Sequence, residues 1–211
     1  SIAELFSDMN VLDMRFIGRP LSALADVGSV FMVFVLGRRL YGQGVGLLAA
    51  GLTALAVIHV QNSHFYRPDT FTVFFTLASF WAMLRMVDRK RYRDSALLGL
   101  MLGLALAPKV TVLPLLAPLA LVYWYRVLDE VNGRWSDITP ELVQRILGHA
   151  AVAAAVAVAV FFVSAPYAFL DFGAFVADLT AQTRMAGNAG LWPFTVQYID
   201  TPAFLYQIKQ T

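Results

Sequence analysis

Residues 148–170 read GHAAVAAAVAVAVFFVSAPYAFL, a stretch without one Asp, Glu, Lys or Arg. Crossing the ~30 Å of a bilayer's hydrocarbon takes about 20 helical residues, so a run of this length constrains the fold more than any other feature. It has companions at 20–36 (PLSALADVGSVFMVFVL), 44–60 (GVGLLAAGLTALAVIHV), 70–87 (TFTVFFTLASFWAMLRMV) and 110–125 (VTVLPLLAPLALVYWY). A sixth run, 95–107 (SALLGLMLGLALA), is shorter and fits a tilted or broken span. Composition agrees, with 59% hydrophobic and 14% charged residues where a soluble domain carries about a quarter charged. The expected fold class is all-α: a polytopic transmembrane helical bundle of about six spans.

The polar connections set the expected topology. GRRLYG (37–42), DRKRYRD (88–94) and the mixed segment 126–147 concentrate arginine and lysine, which marks cytoplasmic loops. Residues 1–19, 61–69, the break at 108–109 and 171–211 then face outward, and six crossings satisfy the alternation. The chain reads as one transmembrane domain over 1–211, with 171–211 as an aromatic-rich outer loop on the membrane surface. Within 126–147, TPELVQRILGH predicts a short interfacial helix with Val143, Ile146 and Leu147 on one stripe. Pro114 and Pro118 predict a bend in the 110–125 span, since each removes a backbone donor. The opening SIAELFSDMN and the closing QIKQT lead us to expect cuts through a longer protein at both ends.

Several function classes fall away at this level. The chain has no cysteine, which removes thiol nucleophiles and thiolate metal sites. It contains no GxxxxGK[ST], no HExxH and no GxSxG, so nucleotide-driven transport, zinc proteolysis and serine hydrolysis have no motif here. Its net charge of +2 comes without a basic run interleaved with aromatics, and no nucleic-acid partner is expected.

Chemistry-bearing residues gather at SHFYRPDTFTVFF (63–75), where His64, Tyr66, Arg67 and Asp69 precede an apolar run. Pro68 suits the first turn of a helix, and Asp69 beside it has two readings. It is either an N-terminal carboxylate stabilised by the helix dipole, or a carboxylate aimed into an outer cavity to orient an acceptor hydroxyl or hold a metal ion. Its close companions His64, Tyr66 and Arg67 favour the second. Lys109, in GLALAPKVTVLP, is a single ammonium between two apolar runs; it either anchors the chain at the boundary or holds a phosphate. Arg19 and Asp26 lie seven residues apart on one helix face and are expected to pair. In the tail, Arg184, Gln197 and Tyr198 mix polar and flat side chains suited to covering a sugar site, or to an interfacial belt.

The run GRPLSALADVGSVFMVFVLGRRLYGQGVGLLAAGLTALAVIHVQNSHFYRPDTFTVFF resembles bacterial membrane glycosyltransferases of the GT-C type. The resemblance is to the group of dolichyl-phosphate-mannose protein mannosyltransferases and aminoarabinose transferases. Its pieces are GR before the first span, GRRLYG-x-x-x-GLLAA, SH-x-x-x-x-D, GLALAPK and the tail QTRMAGNAGLWPFTVQY. The resemblance implies inverting transfer of a sugar from a polyprenyl-phosphate donor to a protein, lipid or glycan acceptor at the outer face of a bacterial inner membrane. Asp69 and His64 would then belong to the catalytic loop, while Lys109, Arg67, Arg19, Arg184, Gln197 and Tyr198 would serve donor-phosphate or substrate binding. Whether a divalent metal takes part is left open, with Asp69 as the residue to hold one. The family's best-known catalytic acid sits in the first outer loop, and the resemblance implies that it lies upstream of Ser1; Asp8 and Asp13 are not promoted to that role. The alternative reading is a polytopic transporter or flippase component, which would bury ionisable groups in mid-membrane along a path.

Overall fold

A computed structural model describes residues 11–56 and 67–187, with Gly190 and Ile199. His59, His64, Tyr66, Gln197, Tyr198 and Asp8 lie outside the described residues. The chain divides into two compact units, 1–164 and 165–211, each of which is described by itself.

In the first unit, helices α1 (Val11–Tyr41), α2 (Gln43–Leu55), α3 (Pro68–Arg89), α4 (Tyr92–Leu106), α5 (Leu116–Glu130) and α6 (Pro140–Ser164) each overlap one of the six apolar runs, although α6 ends at Ser164, short of the expected end at 170. Short 3-10 turns precede α5 (Val110–Leu115) and α6 (Trp135–Asp137). No strand occurs among the described residues. Among the described residues, four segments are long and apolar enough to cross a bilayer: Gly18–Tyr41, Pro68–Arg89, Val110–Glu130 and Pro140–Ser164. The protein is an all-α membrane bundle. At 1.5 Å per residue, α2 and α4 are only about 20 Å long, shorter than the hydrocarbon core.

Helix termini follow local chemistry. Pro68 fills the first position of α3, and Lys90 closes that helix in the left-handed region at φ 51°. The Thr139 hydroxyl accepts a bond from the Leu142 N–H at 3.3 Å and caps α6. Pro114 sits inside a 3-10 turn, and Pro118 falls in the first turn of α5, where a missing N–H leaves no bond unmade. The α1–α2 turn needs glycine twice. Gly42 has φ 96°, and a Cβ on Gly46 would stand 2.6 Å from the Arg38 backbone nitrogen.

One expectation is corrected. Residues 140–147 are not a separate interfacial helix but the first two turns of α6, which runs unbroken through 25 residues. The alanine-rich sequence after Gly148 contains nothing to stop a helix. Leu142 and Ile146, one turn apart, bury against Val131, while Val143 and Leu147 stay exposed.

Packing reverses the soluble pattern. Many interior positions are taken by small residues, with Ser22, Ser29, Ala78, Ser79, Ala82 and Ser95 buried alongside Met83, Met86 and Leu98, while Leu24, Leu52 and Leu121 are about two-thirds exposed. In lipid the apolar exterior is solvated, and close backbone approach drives association. The interior hydroxyls of Ser29 and Ser79 donate to the carbonyls of Ala25 and Phe75, four residues back. The tightest contact joins α4 to α6. A Cβ on Gly99 would meet the Ala153 carbonyl oxygen at 2.3 Å, and one on Gly103 the Ala157 oxygen at 2.7 Å.

In the second unit, Tyr167–Leu170 forms α7 and Phe172–Gly187 forms α8. The expected surface loop thus contains a helix of 16 residues. Asp171 begins it, accepting a bond from the Ala174 N–H at 3.0 Å.

Candidate functional site

Contacts within the first unit sort its loops onto two poles. Arg39, near the end of α1, bonds the Leu84 carbonyl and pairs with Asp88 near the end of α3, so these helices run parallel. Lys90 reaches Asp129 at 2.6 Å, bringing the end of α5 to the same place. The three arginine- and lysine-rich connections therefore share one pole. The starts of α1 and α3 and the ends of α4 and α6 share the other. Helix α3, at 22 residues, separates the poles by ~33 Å, enough to span the hydrocarbon.

At the pole away from the basic loops, the structure joins two residues singled out in the sequence. Lys109 Nζ donates to Asp69 Oδ1 at 2.6 Å. Asp69 lies in the first turn of α3, and Lys109 adopts extended backbone just before the 3-10 turn. Pro68 precedes the first and Pro108 the second, so both charges sit on stiff backbone. Neither side chain is deeply buried, at 39% exposure for Asp69 and 43% for Lys109. Such a pair contributes about 0–1 kcal/mol to stability, so it can open at little cost.

Beside this pair lies a cavity of about 360 Å³, lined by Pro68, Phe71, Phe75, Leu104, Ala107, Pro108 and Ser164. Its walls are mostly apolar, with the Ser164 residue at one side. Thr70, next to Asp69, is a residue that sequence reasoning missed. Its hydroxyl is buried and has no hydrogen-bond partner among the described residues. A buried hydroxyl is usually satisfied, and its one sequence signal is adjacency to Asp69.

The other expected site residues stand as follows. Arg67 caps α3 through its backbone and is exposed beside Asp69. Arg19 is exposed near the start of the α1 span, at the same pole, and Asp26 is half-buried farther along that helix. Arg184 is exposed on α8, in the second unit. His64, Gln197 and Tyr198 lie outside the described residues. No three His, Asp or Glu side chains converge as metal ligands among the described residues, so Asp69 alone offers a metal ion one carboxylate.

An all-helical membrane bundle with a carboxylate–ammonium pair at one pole defines a class of integral-membrane protein with a polar site at the lipid boundary. A family model described as dolichyl-phosphate-mannose-protein mannosyltransferase matches residues 2–163, and the chain belongs to that family of GT-C type membrane glycosyltransferases. No curated protein and no solved structure matches the chain.

Proposed function

We propose that this protein transfers a sugar from a polyprenyl-phosphate donor to an acceptor hydroxyl at the extracytoplasmic face of a bacterial inner membrane, with Asp69 and Lys109 in its site. The observation that carries the reading is the 2.6 Å Lys109–Asp69 pair at the pole opposite the basic loops. Arginine and lysine in short loops tend to lie on the cytoplasmic side, which supports reading the Asp69 pole as the outer one.

The two side chains suit the two charge problems of inverting transfer. Asp69 Oδ accepts the proton of the acceptor hydroxyl as its oxygen attacks the anomeric carbon. The bond from that carbon to the phosphate oxygen breaks, and the phosphate leaves with the electron pair. Lys109 faces the charge gathering on that leaving group. In the resting state each neutralises the other. An incoming donor phosphate competes for the ammonium and frees the carboxylate to act as a base. His64 and Arg67 belong to the same connection and would support acceptor and donor; Arg19, Arg184, Gln197 and Tyr198 are proposed substrate-binding residues.

The test is donor binding by the full-length protein in detergent, using a polyprenyl-phosphate sugar with and without Lys109→Gln. Losing one charge-assisted contact should weaken binding roughly tenfold or more. Unchanged donor affinity would remove Lys109 from the donor site.

A further inference from the structure

The basic pole carries a cluster of charged side chains that the proposed transfer does not use. Lys90, Arg126, Asp129, Glu130 and Arg145 line a cavity of about 350 Å³. Both carboxylates are already held. Asp129 accepts from Lys90 at 2.6 Å, and Glu130 accepts from Arg126 Nε at 3.4 Å through one oxygen and from Arg145 through the other. Three cations against two carboxylates leave one positive charge over. Arg126 locates it: the side chain is 1% exposed, and its Nη1 has no hydrogen-bond partner among the described residues. An unsatisfied, buried charged donor costs more than a neutral one, so an anion that reached it would be favoured.

An apolar groove begins one helical turn away. Tyr123 lines it from α5, three residues before Arg126 on the same helix face. The groove measures about 320 Å³ and runs between α4, α5 and α6, with Leu102, Leu119, Ala150 and Ala154 among its walls. Helix α6 repeats the order, with Arg145 at the charged cavity and Ala150 at the groove. The Tyr123 hydroxyl stands at the junction, buried and also without a partner among the described residues. A cationic pocket, then an orphaned hydroxyl, then an apolar groove matches the order of a phospholipid's phosphate, glycerol-ester oxygens and acyl chain.

We propose that one anionic phospholipid of the basic-pole leaflet binds here, its phosphate on Arg126 and Arg145 and an acyl chain in the α4–α5–α6 groove. The site lies at the other end of α3 from Asp69 and Lys109, so it is separate from the proposed donor site. The carboxylates of Asp129 and Glu130 keep the pocket from binding polyanions indiscriminately, and the groove selects an amphiphile over a soluble phosphate.

Native mass spectrometry of the full-length protein titrated with phosphatidylglycerol, phosphatidylcholine of identical chains, and soluble glycerol phosphate tests this. One phosphatidylglycerol should be retained about tenfold more tightly than phosphatidylcholine, as expected for a charge-assisted contact. Arg145→Gln, at a residue whose side chain is 55% exposed, should remove that preference without unfolding the protein. Ala154→Phe, at an exposed groove position, should weaken both lipids while leaving every charge in place. Equal retention of the two lipids would overturn the proposal. So would glycerol phosphate displacing phosphatidylglycerol at equal concentration, which would mark a free-phosphate site, or an Ala154→Phe protein that binds lipid as the parent does.

Discussion

Lys109 Nζ donates to Asp69 Oδ1 at 2.6 Å across forty residues of chain, closing the end of α4 against the start of α3. The pair is exposed enough that its contribution to folding is at most ~1 kcal/mol. Asp69→Asn and Lys109→Gln should therefore each leave the thermal unfolding midpoint in detergent within a few degrees of the parent. A large drop in either variant would recast the pair as structural support.

The α4–α6 contact should be far less forgiving. Gly99 and Gly103 let α4 approach the Ala153 and Ala157 backbone so closely that no side chain fits. Gly99→Leu or Gly103→Val should cost about 1–3 kcal/mol or more by overpacking, read as lost thermal stability or lost monodisperse yield. Gly44, with open space around its Cβ position, should accept alanine without such loss.

A buried polar link at the basic pole offers an asymmetric test. Ser95 Oγ lies 2.8 Å from His149 Nδ1, and His149 stacks on Tyr92 with ring centroids 4.1 Å apart. Ser95→Ala strands a buried ring nitrogen and should destabilise by about 1–3 kcal/mol. His149→Phe keeps a stacking partner for Tyr92, and the freed Ser95 hydroxyl can turn to a carbonyl four residues back, as Ser29 and Ser79 do. Its cost should be the smaller of the two by chemical or thermal unfolding.

Much of this architecture was legible along the chain. Apolar run length located six helices, because a helix in lipid must satisfy its own backbone and advertises that need as unbroken hydrophobicity. Asp69 and Lys109 each stood out as charges beside such runs. Their pairing did not, since it depends on α3 and α4 returning to one pole. Gly99 and Gly103 went unmarked because small residues four apart look alike whether they face lipid or a neighbouring helix. Arg126 read as one more charge in a mixed loop, and only its burial sets it apart. The helix at Phe172–Gly187 was hidden by its aromatic, polar composition, although Asp171 three residues ahead of Ala174 is a helix-start signal.

The central claim is that Asp69 takes the acceptor proton while Lys109 faces the donor phosphate. The most direct measurement pairs sugar transfer with donor binding for Asp69→Asn in the full-length, membrane-inserted protein. The account predicts loss of turnover by about 10²–10⁴-fold, the usual contribution of a positioned base, with donor affinity kept within a few-fold. Transfer at the parental rate by Asp69→Asn would contradict it.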